Sequence, residues 1–368
     1  MILALLALAA WAVLLLGHGR FWQAGPSLVA AACADGPAVD VVIPARDEAE
    51  GVERCLRSLL AQDYTGPLRI ILVNDGSVDG TGTIARAIGD PRLMVVDGAP
   101  RPPGWSGKLW AANQGVLCGA APLVLLCDAD IVHDPAHIST LVAHAEARGL
   151  DLVSEMVALH CASLAERALV PAFVYFFQML YPFDLVNDPL RATAAAAGGT
   201  VLVRRRALDR IGGLAAIRGA LIDDVALAAA VKRGGRIWLG HSRLARSIRP
   251  YPHAVDVWRM VARTAYVQLR FSPLWLVGTI AGLAVVWLVP PALTLFGHGA
   301  ARWIGLAAWM ASAASYLPTL RRFGQSLAWA LVLPAIAAFY MAATVGSAVE
   351  HHRGRGVVWK RRTYEDVT

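Results

Sequence analysis

The sequence predicts an α/β domain built on a doubly wound, largely parallel sheet, with apolar helices toward both ends of the chain. Three observations carry this. From Val39 onward, short apolar runs alternate with amphipathic stretches, the pattern of strands joined by crossover helices. Three of those runs end in polar turns, "IPARDE", "VNDGS" and "CDAD", where ligands sit in sheets of this kind. Finally, the 368 residues are 57% hydrophobic and 17% charged, too apolar for an ordinary soluble protein, and the excess lies mainly outside Pro37 to Pro273.

The elements follow in order. Ile2 to Leu16 is uncharged, and no Lys or Arg precedes Arg20. A signal peptide would carry a basic start, so residues 1–20 read as a membrane anchor or interfacial helix. Residues 37–250 form the central domain. Val39 to Ile43 is a strand ending at Pro44. Ala49 to Gln62 is helical by the spacing of Val52, Leu56, Leu59 and Leu60. Arg69 to Val73 is a strand, Thr81 to Ile88 a helix, Leu93 to Val96 a strand, Lys108 to Cys118 a helix and Leu123 to Cys127 a strand. Leu169 to Phe183 is apolar and aromatic with two prolines, too short to span a bilayer. It reads either as a core helix or as an interfacial element near a lipid.

Residues 251–273 mix Trp258, Tyr266 and Phe271 with Arg259, Arg263 and Arg270, as in an amphipathic helix at headgroup level. Residues 274–349 are predicted to be a membrane region of two to three helices, drawn from Leu274–Phe296, Trp303–Leu320 and Leu327–Val349. Residues 350–368 form a basic tail with Arg353, Arg355, Lys360, Arg361 and Arg362. Arg321-Arg322 and this tail cannot both face the cytoplasm if Leu327 to Val349 crosses once, so one apolar segment is re-entrant or interfacial.

Net charge is +7. The basic residues cluster near the apolar segments, as at an anionic membrane leaflet, and no nucleic-acid reader motif accompanies them. Five cysteines at 33, 55, 118, 127 and 161 form no C-x-x-C pair, which argues for reduced thiols and a cytosolic central domain.

The chemistry-bearing residues sit at the strand ends. A buried strand cannot run into two anions without compensation. Asp128 and Asp130 are therefore either turn residues at a strand end reaching solvent, or ligands of a divalent cation that holds a diphosphate. "NDGS" is an ordinary turn in one reading; in the other, Asp75 accepts the N3–H of a uracil base. Pro44, Ala45 and Arg46 either terminate a strand or meet base and ribose, with Glu48 beside them. Lys108 in "GWSGK" is either solvated or neutralises phosphate at a helix start. Asp223-Asp224 suits a helix N-terminus, since Asp favours the first turn.

As an ordered set, "VVIPARDE", "VNDGSVDGT", "GWSGKLWAANQG", "LLCDAD", "AAGGTVLVRRRAL" and "DDVALA" resemble the motifs of family 2 glycosyltransferases with a GT-A fold. The "GWSGK" loop and the "GRGVVWKRR" tail are most similar to the membrane-bound, hopene-associated branch. The resemblance implies a GT-A nucleotide-sugar-binding domain with transmembrane helices at both ends. It implies Asp128 and Asp130 as ligands of Mg2+ or Mn2+, and Asp224 as the general base with Asp223 beside it. Pro44, Ala45, Arg46, Glu48, Asp75, Lys108, Asp128 and Arg270 are then the donor contacts. The donor is a nucleotide sugar, with UDP as the nucleotide, and the acceptor is a lipid hydroxyl, a hopanoid within that branch. Localisation follows as a multi-pass protein of the cell inner membrane with its catalytic domain in the cytoplasm. Processive relatives carry Q-x-x-R-W; here Gln268-Leu269-Arg270-Phe271 departs from it, which favours single-sugar transfer. The alternatives are transfer to polyprenyl phosphate or another glycolipid, or a catalytically inactive membrane scaffold. A scaffold would be expected to lose carboxylates that are all present here. A nucleotidyltransferase would carry a Gly-rich loop after the first strand, which "IPARDE" lacks.

Overall fold

The computed structural model describes residues 1–33, 35–354, 358–359 and 362–363. The chain divides into two compact units. A sheet unit comprises Pro26–His160, Leu185–Arg249 and, of the tail, the described residues 358–359 and 362–363, and a helical unit comprises Met1–Gly25, Cys161–Asp184 and the chain from Pro250 through the helix Leu333–His352.

Among the described residues, the sheet unit contains a two-stranded antiparallel pair, Val358–Trp359 with Arg362–Thr363, and a main sheet of eight strands. They are β1 (Val39–Ala45), β2 (Leu68–Asn74), β3 (Leu93–Asp97), β4 (Leu123–Cys127), β5 (Ile131–His133), β6 (Leu152–Ala158), β7 (Thr200–Arg204) and β8 (Ile237–Ser247), in the order β3-β2-β1-β4-β7-β6-β8-β5. β1 is buried along its whole length. Helices such as Val52–Leu60, Thr81–Ala87, Gly107–Leu117 and His137–Arg148 connect the strands. This explains the near-continuous apolar runs, because a parallel strand covered on both faces has no polar side to show. The exception within β1 is Asp40. It is buried, and Arg69 and Arg205 pair with it at 2.9 and 3.2 Å, the compensation a buried anion requires.

The expectation of a largely parallel sheet needs correction. β1, β2, β3 and β4 pair in parallel. β7 then runs antiparallel to both β4 and β6, β6 and β8 are parallel, and β5 is antiparallel to β8. The sheet is mixed. The reversal has a positional result: Cys127 at the end of β4 lies opposite Thr200 at the start of β7. The loop before β7 is thereby held against the turn that follows β4.

The helical unit includes Ile2–Gly17, Leu164–Leu180, Ala254–Ala262, Pro273–Leu283, Val289–Phe296, Ala300–Arg322 and Leu333–His352. Its core gathers Trp11, Phe21, Tyr175, Trp287, Tyr316 and Leu333. The helix over the Leu169–Phe183 stretch starts earlier, at a capping box of Ser163 and Glu166. It buries Val170, Ala172, Val174 and Tyr175, and so behaves as a core helix of this unit. The Trp258–Phe271 stretch is two short helices, Ala254–Ala262 and Ala265–Gln268, rather than one amphipathic helix.

Among the described residues, two helices are long and apolar enough to cross a membrane, Pro273–Phe296 and Leu333–His352. Both lie in the last third of the chain, which corrects the expectation of spans at both ends. Ile2–Gly17 is shorter than a bilayer-spanning helix, which needs about 20 residues. Ala300–Arg322 is long, but Ser312, Ser315, Tyr316 and Thr319 dilute its hydropathy and are buried inside the unit. Pro290-Pro291 does not break Pro273–Phe296. A π-helical turn at Ala284–Leu288 precedes the prolines, which occupy the first turn of Val289–Phe296, where a missing N–H costs little. Of the basic tail, Arg355, Lys360 and Arg361 lie outside the described residues.

Candidate active site

The ends of β1 and β2 are tied to each other. The Asp75 N–H donates to the carbonyl of Ala45 at 2.8 Å, and Gly76, at φ 63°, supplies the left-handed backbone that turns the chain away from β2. Arg46 donates to the Asp75 carbonyl, and its guanidinium lies 3.6 Å from Asp75 Oδ2. The two loops are interlaced further. The N–H groups of Asp47 and Glu48 donate to Ser77 Oγ and Thr81 Oγ1 at 3.1 and 2.8 Å, and Val78 N–H donates to Asp47 Oδ1 at 3.0 Å. "PARDE" and "NDGS" thus form one rigid rim.

Lys108 stands in the first turn of Gly107–Leu117. Ser106 caps that helix by accepting from Leu109 N–H. Lys108 Nζ reaches Asp128 Oδ1 at 2.8 Å and Asp223 Oδ2 at 3.5 Å. Burial works against its charge, but the carboxylates of Asp128 and Asp223 outweigh that and hold its pKa above the usual lysine range. Asp128 follows β4 directly, and its N–H donates to the Gly199 carbonyl at 3.1 Å. Burial raises its pKa, Lys108 opposes the rise, and Asp130 adds to it.

Asp223 and Asp224 open the helix Asp223–Lys232. Asp224 Oδ1 accepts from Val225 N–H at 2.8 Å, as the helix-start reading expects. Withdrawal from water, followed by the neighbouring charge of Asp223, pushes the Asp224 carboxyl up to about 7, against the pull of Lys108. Gly198 permits this crowding: a Cβ there would sit 3.1 Å from Asp224 Oδ2 and 3.5 Å from Lys108 Nζ.

Pro44, Lys108, Asp128, Gly198, Asp223 and Asp224 line one hollow. Asp75 and Arg46 pair on the neighbouring rim. Glu48 and Asp130 are joined by Arg249, whose Nη2 donates to both Glu48 oxygens at 2.7 and 2.8 Å and whose Nε donates to Asp130 Oδ2. Arg270 lies in the helical unit, at φ 53°, and its side chain makes no hydrogen bond or ion pair among the described residues. Sequence reasoning missed Arg249 and Gly198. An Arg two residues beyond a strand has no local signature, whereas the Gly198-Gly199 pair before an apolar run marks a close backbone approach.

The donor set fits a hard divalent cation. Asp128 and Asp130 flank one another across a single residue, with Asp128 Oδ1 on Lys108 and Asp130 Oδ2 on Arg249. Two carboxylate oxygens one residue apart suit Mg2+ or Mn2+.

A carboxylate pair after β4, a polar rim on β1 and β2 and a raised-pKa Asp at a helix start make a recognisable ordered set. Residues 40–212 match the family model described as glycosyl transferase family 2. The family 2 match runs from β1 through β7 and ends before Asp223, Asp224 and Arg249. Two curated relatives, 4,4'-diaponeurosporenoate glycosyltransferases of Staphylococcus aureus strains, are each 36% identical. One aligns over 94 residues, 26% of this chain and 24% of the relative; the other aligns over 91 residues, 25% and 23%. The chain therefore spans about a quarter of the length of the curated relatives it matches. Among solved structures, a mannosyltransferase from Pyrobaculum calidifontis in complex with GDP-Man and Mn2+ is similar at TM-score 0.56 and 21% identity. The likeness covers 96% of this chain and 99% of that one, and it shows a shared GT-A fold.

Proposed function

We propose that the protein is a family 2 glycosyltransferase that moves a single sugar from a nucleotide sugar to a hydroxyl of a lipid acceptor at a membrane. The observation that carries this is the hollow where Lys108, Asp128, Asp223 and Asp224 meet, at the carboxyl end of the sheet and beside a rim that suits a base and ribose. Asp128 and Asp130 would hold Mg2+ or Mn2+, which when bound neutralises charge on the departing diphosphate. Lys108, kept protonated by its carboxylate neighbours, adds a second positive charge toward the same diphosphate. Asp75 accepts from the base, and the backbone at Pro44 and Ala45 borders it. Asp224 takes the proton from the acceptor hydroxyl, a task for which a pKa near 7 is well placed. Direct attack of that hydroxyl on the sugar inverts the anomeric centre.

The finer reading has UDP as the nucleotide and a hopanoid as the acceptor. The "GWSGK" loop supports the hopanoid branch, and the partial match to diaponeurosporenoate glycosyltransferases supports a lipid-like acceptor. The two apolar helices Pro273–Phe296 and Leu333–His352 support a multi-pass protein of the inner membrane, with the sheet unit in the cytoplasm where nucleotide sugars are made. The test is transfer of labelled sugar from UDP- and GDP-sugars by the purified full-length protein, with hopanoids, polyprenyl phosphates and total bacterial lipid as acceptors. Label in a hopanoid from a UDP-sugar is the expected result. Label in polyprenyl phosphate or another lipid would overturn the acceptor assignment, and binding without transfer to any lipid would overturn the activity.

A further inference from the structure

Behind the Asp128–Asp130 turn lies a second cluster of ligand-type atoms that sugar transfer does not use. Cys55 on the helix Val52–Leu60, Cys127 at the end of β4 and His133 at the end of β5 are all buried, at 0, 2 and 4% exposure. One ligand atom from each lies within 4.8 Å of the other two. Cys127 Sγ is 3.2 Å from His133 Nε2. Both thiols also point at the carbonyl oxygen of Asp128, from 3.7 Å for Cys55 and 3.2 Å for Cys127.

The far side of His133 is fixed by a chain of buried groups. Its Nδ1 lies 2.9 Å from His137 Nδ1, His137 Nε2 bonds to Glu155 Oε1, and Thr200 Oγ1 donates to the same oxygen at 3.0 Å. With a carboxylate as the terminal acceptor, the chain has one direction. His137 Nε2–H donates to Glu155, His137 Nδ1 accepts from His133 Nδ1–H, and His133 is left with its Nε2 lone pair aimed at the thiols. This is how ligating histidines are held, with the second ring nitrogen committed to an outer partner that ends in a carboxylate. An all-aliphatic core would fill the same space without the cost of burying so many polar groups.

We propose that Cys55, Cys127 and His133 form a binding site for Zn2+, distinct from the hard-cation ligands Asp128 and Asp130. Two thiolates and one imidazole are the soft and borderline donors zinc takes, and the Asp128 carbonyl or a water completes four-coordination. Binding releases the two thiol protons to solvent. Because Cys127 and Asp128 are adjacent, the zinc clamps the peptide from which the hard-cation ligands project, and it ties β4 and β5 to the helix Val52–Leu60. The site is buried, as structural zinc sites are.

The proposal is read without donor or acceptor, so it stands or falls apart from the glycosyltransferase reading. The full-length protein is purified under reducing conditions without chelator and its metal content measured by mass spectrometry. Zinc-stripped protein is then titrated with Cd2+ while the thiolate-to-metal charge-transfer absorption is followed. Wild type should carry one equivalent of zinc and develop the band at one equivalent of Cd2+. Asp130→Asn should keep both properties, and Cys55→Ser should lose both. Glu155→Gln should weaken zinc binding by about 10- to 100-fold through the released His137. Wild-type protein with negligible zinc and no band under excess Cd2+ overturns the proposal, whatever the folding of the variants. So does zinc lost in Asp130→Asn but kept in Cys55→Ser.

Discussion

The pH at which Asp224 changes protonation state is set by its surroundings. Burial and the Asp223 carboxylate raise it to about 7, while Lys108 and the Val225 N–H lower it, and Asp128 adds a small further rise. A base works only when unprotonated, so kcat/KM should fall as pH drops below about 7, approaching tenfold per unit, and level off above it. Asp223→Asn removes a neighbouring anion and should move this limb to lower pH; an unmoved limb would assign it to another group. Asp224→Asn should cut transfer by about 10²- to 10⁴-fold and leave UDP affinity, measured by calorimetry with metal present, near wild type. UDP affinity lost in proportion to rate would make Asp224 a donor-site residue instead. Asp130→Asn is expected to lose most transfer while its thermal unfolding stays near wild type, since the side chain is partly exposed rather than core. Full activity of that variant in a chelator would remove the divalent cation from the mechanism.

At the scale of elements, two devices hold these residues in register. Ser106 fixes where Gly107–Leu117 begins, and hence where Lys108 points. Ser106→Ala should cost about 1 kcal/mol of stability by thermal or denaturant unfolding, with Ser106→Thr restoring most of it. The Gly198-Gly199 loop before β7 is the other. A Cβ at Gly198 would press on Asp224 Oδ2 at 3.1 Å, so Gly198→Ala should slow transfer by about tenfold or more at nearly unchanged stability, because small displacements of a reacting group are expensive. Strands β1, β2 and β4 were legible because each is an apolar run ending in a polar turn, and the motif residues at those ends were legible with them. The antiparallel half of the sheet was not. β6, reading LVSEMVA, carries Glu155 in mid-strand, and only its buried partners His137 and Thr200 make that residue compatible with a core. Arg249 was illegible for the same reason, since its partners Glu48 and Asp130 stand far away in the chain.

For the whole molecule, the decisive feature is that its two units are interleaved in sequence. The chain leaves the helical unit after Gly25, returns to it at Cys161, leaves again at Leu185 and returns at Pro250. A polypeptide cut to residues 26–249 would keep Leu164–Leu180 without the core in which Leu169, Tyr175 and their neighbours are buried. It should accumulate as insoluble material, and replacing residues 161–184 with a flexible Gly/Ser linker should recover soluble protein, checked by size-exclusion chromatography. The same interleaving sets a timetable for biosynthesis. Leu164–Leu180 leaves the ribosome before β7 and β8 exist, yet the Trp287, Tyr316 and Leu333 that cover it are translated near the end. Until Trp287 is made, this apolar helix has only its earlier partners such as Trp11 and Phe21, an interval in which nascent chains aggregate. The order of synthesis therefore leaves part of this helix uncovered until Trp287, Tyr316 and Leu333 arrive.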